Sequence, residues 1–358
     1  MAPGAAPVAV DAMGGDNAPA AVVQGAVDAA RQGQAVVLVG PEDRVRAELK
    51  RQRASWSLPL QVKHAAEVVE MDDHPGRAMR SKKDNSIRVC FELVKSGAAA
   101  AMVSAGNSGA VMAGAIFVLG RSGAVERPAI LSVLPAVKGS PVLLDVGANV
   151  ECRPVHLVQF ALMGDVYSRR VLGVSRPRVA VLANGEEPTK GTALTRAAAA
   201  ALERSALRFQ GYCEGRDLLA GDLDVVVTDG FTGNVALKTM EGTARAVGVL
   251  VQEALRSNVP SKIGGILAKN ALLAMRKRVD WREVGGALLV GVNGVAVISH
   301  GASDARAVGN AIGRARDAAR AHCTGEMGEA ARQAADLLAN AGETRTTQGR
   351  RRRAPLEA

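Results

Sequence analysis

The chain is poor in aromatic side chains. Phe, Trp and Tyr together make up 3% of its 358 residues, which argues against nucleic-acid binding through stacked aromatic platforms. Its four cysteines, Cys90, Cys152, Cys213 and Cys323, are far apart and form no CxxC. Metal-ligand spacing is therefore absent, and the pattern fits a reducing cytosol. No apolar run reaches the ~20 residues needed to span a bilayer. The start, Met1-Ala-Pro-Gly-Ala-Ala-Pro7, lacks the basic and apolar regions of a signal peptide, so none is expected. The dipeptide Gly-Lys occurs nowhere, which excludes a P-loop, and HExxH is missing. No GxGxxG follows the first strand-like run, and Gly106-Asn-Ser108-Gly109 is one residue short of the GxSxG nucleophile elbow.

What is present is apolar mass of small branched type, mostly Ala, Val and Leu. Hydrophobic residues make up 48% and charged residues 22%, enough for a sizeable core and too little charge for wholesale disorder. The formal net charge is +10. The last fifteen residues hold Arg345 and Arg350 to Arg353 against Glu357, a net +4, which leaves +6 on the body. A basic body suits an acidic protein partner, an anionic membrane surface or phosphate substrates, although a solvated surface with no partner is commoner.

Strand-like runs fall near 7–11, 35–40, 99–104, 129–134, 141–145, 178–183, 223–228 and 286–299. Helix-like stretches lie at 19–32, 41–53, 84–96, 107–119, 154–172, 191–205 and 232–256, with closing helices at 303–322 and 326–340. The strands read as continuous apolar blocks (Asp224-Val-Val-Val-Thr228 is typical). Such blocks alternating with helices predict an α/β fold: a three-layer, mostly parallel sheet with helices on both faces. The 129–145 pair reads as an inserted hairpin. Residues 1–342 read as a single α/β catalytic unit, and 343–358 as a disordered basic tail.

The segment 257–283 interrupts the scheme. Pro260 and Ser261 start a helix in which Ile263, Ile266, Leu267, Leu272, Leu273 and Met275 mix with Lys262, Lys269, Arg276, Lys277 and Arg278. An apolar stripe flanked by basic residues suits an anionic membrane surface. It equally suits a helical arm packed on a second subunit.

Five strand-like runs end in a Gly-rich polar turn leading into a helix-like run. These are Asp11-Ala-Met-Gly14-Gly15-Asp16-Asn17, Ser104-Ala-Gly106-Asn107-Ser108-Gly109, Asp145-Val-Gly147-Ala-Asn149, Asp229-Gly230-Phe-Thr232-Gly233-Asn234 and His300-Gly301-Ala-Ser303-Asp304. In an open parallel sheet the carboxyl ends of strands share one edge, where ligands bind. Helix N-termini at that edge offer unpaired N–H groups and positive dipole ends to an anion. Singly, each turn is more often structural than functional; their repetition favours a site. Asn107 or Ser108 would cap the helix of an anion cradle, and Thr232 and Asn234 would hydrogen-bond a substrate, with Lys238 one helical turn on. Arg80-Ser-Lys82-Lys83-Asp84-Asn85-Ser86 gathers positive charge just before a helix, alone most often a solvated loop. A lone His such as His300 is more often structural than catalytic. Asn184-Gly-Glu186-Glu187 adds two carboxylates that could order a loop, bind an Arg or act as a base.

Together with Glu126-Arg-Pro128 and the series from Val8 to Pro19, these residues resemble the bacterial acyl-acyl-carrier-protein:phosphate acyltransferases, the PlsX family. The resemblance covers about residues 7 to 322. Asn85, Ile298 and Asp304 depart from it, standing where Ser, Lys and Asn are usual. It implies a fold like phosphotransacetylases and isopropylmalate dehydrogenases with a protruding helical arm, a homodimer, and no metal or organic cofactor. It implies transfer of a long fatty acyl group from acyl carrier protein to inorganic phosphate, feeding a membrane glycerol-3-phosphate acyltransferase. Such a protein would be cytoplasmic and peripherally associated with the inner face of the cell membrane through the 257–283 arm, without nucleic acid. Asn234, His300, Lys83 and Asn107 are then the candidate catalytic groups. Asp11, Gly14, Gly15, Asp16, Gly106, Ser108, Gly109, Asp145, Asn149, Glu186, Asp229, Gly230, Thr232, Gly233 and Lys238 are candidates for substrate binding. The alternatives are a phosphotransacetylase-like enzyme using acyl-CoA, an NAD-dependent dehydrogenase on a similar sheet, and a non-catalytic membrane scaffold.

Overall fold

The structure, a computed structural model, describes residues 6–55 and 57–341. The tail expected over 343–358 lies outside them. Eleven strands run in chain order among the described residues: β1 (Val8–Asp11), β2 (Val36–Gly40), β3 (Leu60–His64), β4 (Ala101–Ser104), β5 (Ala129–Val133), β6 (Val142–Leu144), β7 (Arg178–Leu182), β8 (Arg208–Cys213), β9 (Val225–Val227), β10 (Ala287–Val290) and β11 (Ala296–Ile298). The helices are α1 (Ala20–Arg31), α2 (Glu42–Arg51), α3 (Pro75–Ser81), α4 (Ser86–Lys95), α5 (Ser108–Gly114), α6 (Pro154–Arg170), α7 (Ala193–Leu202), α8 (Gly230–Arg256), α9 (Val259–Leu267), α10 (Lys269–Val279), α11 (Trp281–Val284), α12 (Ala305–Arg320) and α13 (Thr324–Ala330).

The chain divides into two compact units. Among the described residues, the first unit holds 6–55, 57–118, 232–288 and 296–317, and the second holds 119–231, 289–295 and 318–341. In the first unit the strand order is β3-β2-β1-β4-β11, and every pairing is parallel. In the second it is β5-β6-β9-β7-β8, parallel except for β5 against β6. That antiparallel pair is the inserted hairpin, with Leu131 opposite Leu144 and Val133 opposite Val142.

Burial explains the pattern. Every residue of β1, β2, β4, β5, β6, β9 and β11 is buried, as expected of strands with both faces covered. Each fully buried Val or Leu contributes about 1.5–3 kcal/mol of transfer free energy, so these short strands hold their units together despite their length. In the second unit, helix α6 is buried along most of its length, from His156 to Ser168, and packs on β6 and β9.

Four elements differ from the sequence reading. The run at 286–299 is two strands, broken by the Gly291–Gly294 turn, where Asn293 Nδ2 donates to the carbonyls of Leu119 and Arg121. β3 and β8 are additional strands. Each is the edge strand of its unit, partly exposed and interrupted by polar residues (Leu-Gln-Val-Lys-His and Arg-Phe-Gln-Gly-Tyr-Cys). The Arg80 cluster, expected as a loop, begins in helix α3.

The 257–283 segment is helical, as expected. Asn258 caps α9 by accepting from the Ser261 amide at 2.8 Å, and Pro260 sits at its start, where no donor is lost.

Candidate functional site

In the first unit the turns after β1, β4 and β11 are tied into one structure. β1 and β11 both pair with β4, so their carboxyl ends lie side by side. Asp11, the last residue of β1, is buried. Its Oδ2 accepts the Ser104 hydroxyl at 2.7 Å, and its Oδ1 accepts the Met13 amide at 3.1 Å. Ser104 Oγ in turn accepts the Gly106 amide at 3.1 Å. The Asp16 amide donates to the Gly301 carbonyl at 2.8 Å, and Asn17 Nδ2 reaches the carbonyls of Ala302 and Ser303. Gly14 is where the turns approach most closely. A Cβ there would lie 2.6 Å from both Asp11 Oδ2 and the Gly106 nitrogen, so only glycine fits.

Burial pushes the Asp11 carboxyl above its usual range, against the pull of Ser86, Ser104 and the Met13 and Gly14 amides. Ser86 and Ser104 are site residues that the sequence reading did not single out. Ser104 stood inside a quoted turn, but the signal that would mark it is a partner 93 residues away.

Asn107 caps α5: its Oδ1 accepts the Ala110 amide at 3.0 Å. Its Nδ2 donates to the carbonyls of Met71 and Asp73, both at 3.0 Å. This side chain therefore holds the 70–75 loop against the turn, and its amide hydrogens are engaged within the protein. Ser108 and Gly109 follow in the first turn of α5, where amides have no carbonyl behind them in the helix. At its far end α5 runs into a π-turn over Ala115–Leu119 that leaves Ile116 and Phe117 exposed, a distortion common at functional sites.

His300 is exposed. Its Nδ1 accepts the Ala302 amide at 3.1 Å, which sets the neutral ring with its hydrogen on Nε2. Asp304, one of the departures, accepts the Ala307 amide and pairs with Arg282 at 3.1 Å, so it serves the helix start rather than a ligand. Ile298 is buried in β11, and Asn85 caps α4 through the Arg88 amide. Lys82 is bound to Asp73 at 2.5 Å and to the Val68 carbonyl, whereas Lys83 is exposed. Lys238 pairs with Glu241 at 2.8 Å on α8, beyond Thr232, Gly233 and Asn234 in its first turns.

The second unit repeats the construction. Asp145 follows β6 and is fully buried. It accepts the amides of Ile130, Gly147, Ala148 and Asn149 and the side chain of Asn149. Burial raises this carboxyl too. Asn149 also donates to the Pro128 carbonyl at 2.8 Å, and its own carbonyl accepts the Gly230 amide at 2.7 Å. A Cβ on Gly230 would lie 2.6 Å from that carbonyl oxygen and 2.8 Å from Asp145 Oδ2. The turns after β6 and β9 are thus joined, with Asp229 beside Gly230. Glu126, in the Glu-Arg-Pro run, binds Arg153 and buried His156; burial, then Arg127, pushes the His156 pKa down. Glu186 stands on the solvated surface, 60% exposed, paired with Arg216 at 3.1 Å.

Residues 6–325 match the family described as fatty acid synthesis protein. A phosphate acyltransferase of Anaeromyxobacter sp. (strain Fw109-5) is 71% identical over 336 residues, 94% of each chain. One from Geobacter sulfurreducens is 52% identical over 306 residues, 85% of this chain and 88% of that one. Among solved structures, a phosphotransacetylase from Streptococcus pyogenes aligns with a TM-score of 0.59 at 16% identity, over 88% of this chain and 94% of that one. A branched-chain phosphotransacylase from Enterococcus faecalis aligns at 0.52 and 12% identity, over 88% and 99%. These likenesses show a shared fold. With two sets of clasped strand-end turns and a match over nearly its whole described length, this chain belongs to the fatty acid synthesis protein family, that of the phosphate acyltransferases.

Proposed function

We propose that the enzyme transfers a long-chain fatty acyl group from acyl carrier protein to inorganic phosphate, and that the bound phosphate is itself the nucleophile. The observation that carries this reading is the clasp of the β1, β4 and β11 turns, which ties the start of α5, with Ser108 exposed, to the strand-end edge. Phosphate sits on the Ser108 and Gly109 amides, where the helix dipole favours an anion. Lys83 adds charge from an exposed position.

Phosphate loses its second proton near neutral pH, so no side chain is needed to generate the attacking oxygen. That oxygen attacks the thioester carbonyl carbon. The C–O bond forms, the C–S bond breaks, and the carrier thiolate leaves and takes up a proton. Catalysis comes from positioning and from donors aimed at the developing oxyanion. His300 Nε2–H and the Asn234 side chain supply those donors, while Asn107 and buried Asp11 hold the turns in place. The acyl phosphate then passes to a membrane glycerol-3-phosphate acyltransferase. The helices of the 257–283 segment bring the enzyme to the lipid surface as a homodimer.

The test mixes enzyme, acyl carrier protein bearing a fatty acyl group, and phosphate, and follows free carrier thiol. Thiol release that requires phosphate is expected. Release from acyl-CoA alone would favour a phosphotransacetylase-like donor, and no release from either would overturn the reading. Asn234→Ala is expected to raise the barrier by about 3 kcal/mol, the usual effect of losing one oxyanion donor, with circular dichroism unchanged.

A further inference from the structure

We infer that the exposed face of α3, built on Arg77 and Arg80 beside Phe117, is where the acidic carrier protein docks; this rests on the acyl-carrier reading above. The face borders a groove of about 400 Å³ lined by His74, Gly76, Arg77, Arg80 and Ser81. Both arginines are exposed, and among the described residues no carboxylate pairs with either. Of the nearby carboxylates, Asp73, Asp84 and Glu67 are engaged with other groups, and exposed Glu70 and Asp72 pair with neither arginine. Asp73 holds Lys82 and the Glu70 amide, Asp84 accepts the Ala66 amide, and Glu67 accepts the Asp84 amide. The two guanidinium groups of α3 are therefore exposed and without an ion pair among the described residues.

Two further observations point to a protein rather than a small anion. The Arg80 guanidinium lies 5.8 Å over the Phe117 ring, and Phe117 is 54% exposed with Ile116 next to it. Cations around an exposed aromatic form the charged rim and apolar centre of a protein interface. The face is also tied to the proposed phosphate cradle. A Cβ on Gly109 would lie 2.6 Å from Pro75, the first residue of α3, and Asn107 holds the Met71 and Asp73 carbonyls. Helix α3 spans seven residues, about 10 Å at 1.5 Å per residue. A carrier seated on it has its flexible thiol arm within easy reach of the cradle. Complementary charge of this kind acts on encounter and on affinity for the partner.

The test compares two donors of the same acyl group, acyl carrier protein and acyl-pantetheine, in the wild-type enzyme and in an Arg77→Glu, Arg80→Glu double variant. The expected result is a KM for acyl carrier protein raised about tenfold or more, with its salt dependence flattened. The kinetics with acyl-pantetheine and the circular dichroism should stay unchanged. An unchanged KM for the carrier, an equal loss with both donors, or a loss of anionic-vesicle binding in its place would overturn the docking face. A wild-type enzyme that releases no thiol from the carrier but does so from acyl-pantetheine would overturn the acyl-carrier reading and the docking face with it.

Discussion

Two buried aspartates, one in each unit, organise the strand-end turns of their own unit without facing solvent. Asp11 and Asp145 each end or follow a strand, and each gathers several amides from the turn beyond it. Burial raises both carboxyls. The folded state thus binds the proton more tightly than the unfolded one, so their contribution to stability falls as pH rises from the unfolded value near ~3.9 through the folded one. Asp11→Asn keeps one of the two acceptor oxygens, so it should lower the melting temperature less than Asp11→Ala does. Asp11→Ala orphans its donors and should cost about 1–3 kcal/mol for the unsatisfied group. Calorimetry of the two variants at pH 7 distinguishes a turn organiser from an inert core residue. Asn107 invites a similar contrast. Asn107→Asp preserves the cap on the Ala110 amide but sets an acceptor against the Met71 and Asp73 carbonyls. Turnover should fall in this variant although α5 remains capped; Asn107→Ala should additionally lose about 1 kcal/mol of cap stability.

Elements whose burial is complete on both faces were readable from composition alone, because continuous Val and Leu blocks have no other comfortable home. That is why β1, β4, β6 and β9 and their Gly-polar turns stand out in the sequence. β3 and β8 pair on one side only, tolerate Lys, Gln and Arg, and so leave no apolar block to read. Helix α3 is hidden for another reason: its seven residues, Pro-Gly-Arg-Ala-Met-Arg-Ser, are too few to show a helical period and are held by packing against α5. The clasps were invisible too, since Ser104 to Asp11 and Asn107 to the 70–75 loop cross long stretches of chain. The strap joining that loop to α3 is Lys82 with Asp73. The lysine contact and the Glu70 amide hold the Asp73 carboxyl below its usual range. This stabilisation is present above the unfolded value near ~3.9 and is lost as pH falls through the lower folded value. Lys82→Ala should therefore speed hydrogen exchange over residues 68–76 and lower turnover at pH 7. Exchange in the wild type should approach that of the variant only as pH falls below about 4.

At the scale of the whole molecule, charge and exposed apolar surface are unevenly placed. No helix among the described residues is long and apolar enough to cross a membrane. Yet α9 and α10 leave Ile263, Ile266, Leu267, Leu273 and Met275 exposed, Leu267 by 82%, and α8 adds Val247, Val249 and Leu250. Scattered surface leucines need no account, whereas this many on consecutive helices mark a contact surface. Lys262, Lys269 and Lys277 lie on the same helices, and each basic residue near an anionic leaflet adds about 1 kcal/mol of attraction. A surface that is apolar and basic together suits lipid headgroups and acyl chains at once. Replacing Ile266 and Leu267 by Asp should abolish co-sedimentation with vesicles of anionic phospholipid while thiol release in solution continues at the wild-type rate. Were the variant instead to dissociate from dimer to monomer and still bind vesicles, the helices would cover a second subunit rather than a bilayer.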